Sequence, residues 1–204
     1  MIPNDLKHIK YCYSPGVSNN SDFELDLYKH YNINSFLCDF SVDSPPVECE
    51  GIQFLKKNLS SYSDDVNTTL SDWVLSNKQD YDMILQIDIE SSEYDVLIET
   101  DTSLIKQFRI LIIEFHQFNV LFDRFGFRVI DSVFNKLSKD FFIVHIHPNT
   151  LANGVRFKDL EIPSAIEYTF LRKDRIKSTT FNNTFPHKFD HNKDYKLPKY
   201  FFEN

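Results

Sequence analysis

Carboxylate and imidazole side chains lie near the ends of two apolar stretches that read as β-strands. Met83–Ile89 carries Asp88 near its end, and Arg109–Phe115 is followed directly by His116. In an open α/β sheet, the carboxyl ends of parallel strands meet at one rim, where ligands bind. A carboxylate or an imidazole held there can remove a proton from a reacting group. We therefore expect a site for proton transfer at this rim.

The same rim offers two candidate bases and a possible metal site. His116 has the more suitable intrinsic pKa, although a partly buried structural histidine fits its position equally well. Strand alternation places Glu114 and His116 on one side, so that with Asp88 they offer ligands suited to Mg²⁺ or Mn²⁺. Acids at strand ends are common, and we expect no obligatory metal.

A loop and an acid upstream indicate a cofactor. Residues 14–18 follow the first predicted strand, Ile9–Tyr13, and precede a predicted helix at Ser21–Tyr31, whose free N–H groups favour a negative ligand group. Asp39 ends the second predicted strand about twenty residues later, where a ribose-binding acid belongs in related folds. Together these features predict a cofactor that contains adenosine.

Glycine is scarce, which narrows the cofactor class. The chain has 204 residues and four glycines, and neither of the glycine-rich phosphate-binding patterns occurs. A dinucleotide needs close backbone approach to its pyrophosphate, so a nicotinamide-dependent oxidoreductase is disfavoured. A cofactor with a carboxylate and no phosphate requires less of the loop.

The alternation of elements predicts one α/β domain over residues 1–204. Strands and helices alternate for most of the chain, and then two strands follow one another, which indicates a doubly wound, mostly parallel sheet with a C-terminal antiparallel hairpin. We assign 1–177 to the core and expect the aromatic tail, 178–204, to pack near the acceptor site. The remaining predicted elements are strands at Asn34–Asp39, Ile52–Leu55, Phe141–His147 and Ala165–Arg172, and helices at Thr69–Ser76, Ser92–Gln107 and Val120–Leu137.

Charge and cysteine usage limit the partners and the compartment. The formal net charge is −8, and residues 1–170 hold 14 basic and 26 acidic side chains. A body this acidic repels phosphate backbones, so we expect no nucleic-acid partner. No apolar stretch is long enough to span a membrane. Three cysteines without metal-ligand spacing predict buried thiols and a reducing, cytoplasmic location.

Several motifs together resemble one enzyme family. The stretch from Asp82 to Leu97, DMILQIDIESSEYDVL, is similar to the "D-x-L-K-I-D-I-E-G-x-E-x-x-V-L" signature of FkbM-like S-adenosylmethionine-dependent methyltransferases. The stretch from Tyr13 to Leu27 resembles that family's first loop, and the resemblance extends over nearly the whole chain. Further matching segments are Phe36–Phe40, Ile112–His116, His145–Asn149, Glu167–Asp174 and Phe185–Asn192.

The resemblance implies a Rossmann-like class I methyltransferase fold and an O-methyltransferase that acts on a sugar or glycan hydroxyl. It also fits a domain of a larger glycan-modifying protein, virus-encoded ones included. It assigns Asp88 as the preferred base beside the transferred methyl group. The cofactor-binding residues that it implies are Tyr13, Ser14, Gly16, Ser18, Asp39, Phe40, Leu59, Ser60 and Asp88.

The acceptor side is read from the other strand ends. We expect Glu90, His147 and Asn149 to contact the acceptor, with the segment Pro186–Asn192 folding over the rim. His145 and His147 share one face of a predicted edge strand, but no third metal ligand is evident.

Three departures from the family pattern leave a second function open. Ser18 and Ser91 stand where relatives have glycine, and Gln86 replaces a lysine. A serine with positive φ carries strain. The alternative is therefore a non-catalytic binding module of the same fold with a degenerate cofactor loop.

Overall fold

The computed structural model describes residues 3–77, 80–158, 160–178, 180 and 190. Its strands and helices follow the predicted alternation. The strands are β1 (Tyr11–Pro15), β2 (Asn34–Cys38), β3 (Ile52–Leu55), β4 (Asn58–Leu59), β5 (Asn67–Thr68), β6 (Met83–Ile87), β7 (Phe108–Phe115), β8 (Phe141–Phe157) and β9 (Leu160–Arg172). The helices are α1 (Asp22–Tyr31), α2 (Leu70–Ser76), α3 (Glu93–Glu99), α4 (Thr102–Ile105) and α5 (Arg124–Leu137).

The sheet confirms the predicted fold class. Seven strands pair in the order β3-β2-β1-β6-β7-β9-β8. The first five of these strands are parallel to one another, β9 is antiparallel to β7, and β8 is antiparallel to β9. The order reverses direction at β1 and β6, so the carboxyl ends of those two strands form the switch point at which ligands bind in such sheets.

Both faces of the sheet are covered, which is why its central strands read as uninterrupted apolar stretches. On one face α2, α3 and α5 pack against alternate residues of the strands, with Trp73 fully buried among them. On the other face α1 contributes Leu27, which packs with Ile84 and Ile112. None of the described helices has the length and apolar character needed to cross a membrane.

Two predicted helices differ from the structure for local reasons. The predicted helix Ser92–Gln107 is two helices, because Thr100 is extended and the Asp101 carboxylate caps α4 through the Ser103 N–H, at 2.7 Å. The predicted helix Val120–Leu137 begins later, at Arg124, where the side chain of Asp123 accepts from two backbone N–H groups.

The spacing Ser21-x-x-Glu24 predicts a capping box at the start of α1, and this prediction is wrong. The side chain of Ser21 makes no cap hydrogen bond. Asn20 accepts from the Asp22 N–H at 2.8 Å instead. Glu24, the expected partner in the box, is turned into the molecule and is 3% exposed.

The C-terminal hairpin is confirmed and is longer than predicted, since β8 runs to Phe157 and β9 starts at Leu160. β8 is the edge strand, as expected. The tail 178–204 and the segment Pro186–Asn192 lie outside the described residues, apart from residues 178, 180 and 190.

Candidate active site

The loop after β1 is joined closely to the loop after β6. Gly16 has φ +82°, and a Cβ placed on it would lie 1.5 Å from the carbonyl oxygen of Asp88. The Gly16 N–H donates to the Cys38 carbonyl at 2.9 Å, and the Asp88 N–H lies 3.4 Å from the Pro15 carbonyl. Only glycine permits this approach, because any side chain would overlap the neighbouring backbone. The two loops therefore form one continuous floor at the switch point.

Asp39 connects the first loop to the end of β2. Its Oδ2 accepts from the Ser18 N–H at 2.7 Å, and its Oδ1 accepts from the N–H and hydroxyl of Ser41 at 2.7 and 2.6 Å. The residue is 8% exposed. These bonds hold the carboxylate at the rim, the position predicted for a ribose-binding acid.

The serines that replace family glycines keep the backbone conformation that glycine favours. Ser18 has φ +46° and Ser91 has φ +93°, with Glu90 beside it at +54°. Such values cost a non-glycine residue free energy, and Ser91 lies furthest from the left-handed helical region. The two serines thus keep positive φ values in these loops at the cost of backbone strain.

Asp88 has the environment of a base. Burial raises the pKa of its carboxyl to about 6, with a further contribution from the nearby Glu114 carboxylate. Its Oδ1 is inaccessible to solvent and has no hydrogen-bond partner among the described residues. The side chain as a whole is 35% exposed, so the other carboxylate oxygen remains reachable. A reachable carboxylate with a pKa near neutrality is suited to accepting a proton.

His116 is held as a cation beside that base. Its Nδ1 lies 2.9 Å from Oε1 of Glu93, which is fully buried, and this hydrogen bond raises the pKa of His116 to about 9. The same Glu93 oxygen accepts from the N–H groups of Ile89 and Ser91. Nε2 of His116 lies 3.8 Å from Asp88 Oδ1 and 3.6 Å from Glu90 Oε2. An imidazolium at neutral pH has no lone pair with which to act as a base.

A row of polar residues continues from the base across the hairpin. Glu114 on β7 is directly opposite Glu167 on β9, which is opposite His147 on β8. Asn149 reaches back to β7, and its Nδ2 donates to Glu114 Oε1 at 2.9 Å. The structure therefore brings His147 and Asn149, both predicted for the acceptor side, to the rim that carries Asp88.

A cavity of about 470 Å³ opens between the first loop, the start of α1 and this row. Its volume is within the range of small-molecule sites. It is lined by Gly16, Val17, Asn20, Asp22, Phe23, Glu24, Gln86, Asp88, Ile112 and Glu167.

Beneath the cavity, Ser14 is buried and bonds to two side chains. Its hydroxyl contacts Glu24 Oε1 and lies 2.6 Å from Gln86 Oε1. Burial raises the pKa of Glu24. Ser14 therefore supports the floor of the cavity from below.

The other predicted cofactor residues lie in different surroundings. Tyr13 is fully buried and stacks on Phe36, and Leu59 is also in the core. Phe40 is 41% exposed at the rim, with the Lys56 ammonium 5.6 Å from its ring centre. Ser60 donates its N–H to the Thr68 carbonyl.

Sequence reasoning did not give a site role to three acids that the structure places here. The sequence pattern places Glu24 in a capping box and Glu167 in a motif segment, and it puts Glu93 at the start of a helix, where the helix dipole favours a carboxylate. The one local signal is at Glu24, an acid between Phe23 and Leu25 inside α1; Glu93 begins α3 after Ser92 and gives no such signal. Their partners lie 10 and 23 residues away in the chain, so no local pattern could identify them.

Two groups of side chains have the composition of metal sites. Asp88, Glu114 and His116 each offer a ligand atom, and these atoms all lie within 4.8 Å of one another. The second group corrects the expectation that His145 and His147 have no third ligand, because Asp190 lies beside them.

Comparison with known proteins gives one family match. The Methyltransferase FkbM domain matches residues 12–141, well over half of the chain. No curated protein sequence matches significantly.

Several solved structures are similar to the chain at low identity. The chain is similar to a fibrillarin/Nop5p complex structure (11% identity over 80% of this chain and 72% of that chain, TM-score 0.48). It is also similar to M. capricolum TrmK in complex with S-adenosyl-homocysteine (9%, 81% and 63%, 0.42) and to a SAM dependent methyltransferase from Archaeoglobus fulgidus (12%, 82% and 88%, 0.40). Identities and TM-scores this low have no bearing on function.

Proposed function

Since the chain belongs to the FkbM family of S-adenosylmethionine-dependent methyltransferases, we propose that it is an O-methyltransferase that methylates a hydroxyl group of a sugar or glycan. The observation that carries this proposal is Asp88, a partly buried carboxylate whose pKa is raised to about 6 and whose side chain is still 35% exposed. It lies at the switch point of the sheet, next to the cavity.

The residues present fit the cofactor. A sulfonium is a cation, and Asp88, Glu114 and Glu167 supply negative charge on the side where the cavity opens. The start of α1 offers backbone N–H groups for a carboxylate, and Asp39 is placed at the rim for ribose hydroxyls. Bound S-adenosylmethionine supplies a methyl group already activated on sulfur.

The chain's own work is alignment and proton removal. Asp88 is assigned as the base, because the exposed part of its carboxylate lines the cavity and its raised pKa suits it to accept the hydroxyl proton of an acceptor. His116 is assigned a charge role: as an imidazolium it stabilises the ionised form of Asp88, and Glu93 fixes its orientation. Glu93 is thus a positioning residue, which acts through His116.

The acceptor side is assigned to Glu90, His147 and Asn149. Glu90 is exposed beside His116, and Asn149 is joined to Glu114. Amide groups and neutral imidazoles can donate to and accept from sugar hydroxyls, and carboxylates can accept from them. A polar rim of this kind supports a hydroxyl-rich acceptor more than an apolar one.

The cofactor assignment is tested by calorimetry with S-adenosylhomocysteine. Binding at micromolar concentration is expected for the wild type. If no heat of binding were measured at high micromolar S-adenosylhomocysteine, the proposal would be refuted and the non-catalytic binding module would be favoured.

The acceptor assignment is tested with labelled cofactor and a panel of mono- and oligosaccharide glycosides, with and without excess EDTA. Label transfer that persists in EDTA is expected. Cofactor binding with no transfer to any glycoside would contradict the sugar acceptor while leaving the family intact.

A further inference from the structure

Two histidines of the edge strand lie beside an acid from far along the chain. His145 and His147 are two residues apart on β8, with ring centres 6.4 Å apart and ring planes within 13° of parallel. Asp190 places Oδ1 3.1 Å from His145 Nε2 and 3.9 Å from His147 Nδ1. One carboxylate oxygen therefore faces both imidazoles.

We propose that His145, His147 and Asp190 form a binding site for a divalent transition-metal ion, with Zn²⁺ as the ion that fits the donor set. Two imidazole nitrogens and one carboxylate oxygen are ligands that zinc takes in proteins, and three protein ligands leave a fourth position open. The ion would link Asp190 to the edge strand, 43 residues after His147 in the sequence.

The distances are close to those of a coordinated ion. A tetrahedral ion with bonds of about 2.0–2.2 Å holds its ligand atoms roughly 3.3 Å apart. The three ligand atoms already lie within 4.8 Å of one another. Small side-chain rotations suffice to bring them to the coordination distance.

The backbone aims the two imidazoles at the same side. A β-bulge between Ile143 and His145 shifts the pairing of β8, so that His145 is opposite Thr169 and His147 opposite Glu167. Bulges re-aim the side chains that follow them. His145 is 6% exposed, which gives the cluster a protected inner ligand.

The site is separate from the carboxylates around the base. His147 is opposite Glu167 and Glu167 is opposite Glu114, so two strand spacings, roughly 10 Å, separate β8 from β7. The proposal does not depend on methyl transfer, and its failure would leave the function proposed above unaffected. If the ion binds, His147 is its ligand, and the acceptor contacts assigned above rest on Glu90 and Asn149.

The test is Zn²⁺ binding to the full chain, purified without a histidine tag, stripped with a chelator and titrated in competition with a chromophoric chelator. One tight site per chain is expected. His147→Gln and Asp190→Asn should each weaken it by about tenfold or more, because even outer-shell changes weaken metal binding by that much. Asp88→Asn should leave it unchanged and serves as the matched control for the other cluster.

A second measurement guards against the cysteines and against misfolding. Co²⁺ should give the visible spectrum of nitrogen and oxygen ligands without a thiolate charge-transfer band, and Zn²⁺ should raise the Tm of the wild type more than that of either variant. The proposal would be overturned if the wild type did not bind Zn²⁺, or if both variants bound Zn²⁺ as tightly as the wild type does. Loss of the tight site in Asp88→Asn alone would place the ion at the other cluster and would equally overturn it.

Discussion

Asp88 and His116 occupy neighbouring strand ends but have opposite surroundings. Burial and the Glu114 carboxylate disfavour the charged form of Asp88, whereas the hydrogen bond to Glu93 favours the charged form of His116. The pKa of the Asp88 carboxyl is thus raised to about 6 and that of the His116 imidazole to about 9. Near neutral pH the carboxylate can therefore accept a proton, whereas the imidazolium cannot. This separation assigns the roles that residue types alone left open.

Asp88→Asn should lower turnover roughly 100-fold or more, because the amide cannot accept the acceptor's proton. The affinity for S-adenosylhomocysteine should stay within a few-fold, since the substitution keeps the side chain's size. Steady-state kinetics with labelled cofactor and calorimetry measure the two effects. Full activity of this variant would refute the assignment of the base.

The pH profile should follow the raised pKa of Asp88. We expect kcat/KM to fall about tenfold per pH unit below about 6 and to level off above it, because only the ionised carboxylate is active. The acid limb of the kcat profile should lie at lower pH than that of the kcat/KM profile, because a cationic sulfonium near Asp88 favours the ionised form of its carboxyl. A profile that is flat between pH 5 and 7 would contradict this prediction.

Glu93→Gln should lower the pKa of His116 from about 9 toward its ordinary value of about 6.5. Glutamine keeps the oxygen that accepts from the Ile89 and Ser91 N–H groups but removes the negative charge. NMR titration of the His116 ring measures the pKa directly. The ring signals of the exposed His30 serve as the control and should be the same in both proteins at each pH. An unchanged His116 pKa would mean that Glu93 does not position this group.

Both loops at the switch point contain residues with positive φ. In the loop after β1 these are Gly16, for which the conformation carries no strain, and Ser18, whereas the loop after β6 bends through Glu90 and Ser91. Positive φ at residue 16 is coupled to a contact with the Asp88 carbonyl, but at Ser91 it costs only local backbone energy. Substitutions in the two loops should therefore have opposite effects.

Gly16→Ala should abolish detectable binding of S-adenosylhomocysteine, because its Cβ would overlap the Asp88 carbonyl and push the two loops apart. Ser91→Gly, the matched substitution in the other loop, should stabilise the protein by about 1 kcal/mol by removing the strain of a positive φ. For a chain of this size that is a rise in Tm of roughly 2–4 °C. Wild-type affinity in Gly16→Ala, or a lower Tm in Ser91→Gly, would contradict the coupling.

The candidate active site and a buried ionic cluster lie at opposite ends of the strands of the sheet. At the end opposite the active site, Asp82 accepts from Arg109 at 2.7 Å and from Arg172 at 2.5 Å, and both arginine side chains are almost fully buried. Burial opposes the ionisation of Asp82, but the two arginine hydrogen bonds outweigh it and lower the pKa of the carboxyl. The stabilising effect of ionised Asp82 is therefore fully present above the ordinary pKa of an aspartate. It is lost as the pH falls through the lowered pKa of Asp82 in the folded protein.

Asp82→Asn should lower the free energy of unfolding by about 2 kcal/mol, because it removes the charged acceptor shared by two buried guanidinium groups, which keep only Asp5 and Asp174 as counter-charges. Turnover well below the Tm should change less than twofold, since residues 82 and 88 are separated by roughly 20 Å of strand. Asp80→Asn is the control: Asp80 pairs with Lys10 at the surface and should cost under about 1 kcal/mol. Denaturant unfolding measures both. Equal effects of the two variants would argue against the buried cluster.

The amino-acid sequence was enough to predict the fold class and the rim that carries the site. Strands buried on both faces, such as β7, produce an apolar pattern that is visible residue by residue, and parallel strands necessarily present their ends together. The serines at 18 and 91 were likewise readable as strained positions, because φ is a local property. Element ends were less predictable: the break at Thr100 depends on a single cap by Asp101.

Protonation states and distant partners came from the tertiary structure. The pKa of Asp88 depends on burial and on Glu114, 26 residues away, and that of His116 depends on a hydrogen bond across 23 residues. Asp190 meets His145 and His147 only because the chain returns to the edge strand. Desolvation and electrostatic interactions fall off with distance in space and not along the chain, so these properties exist only in the folded protein.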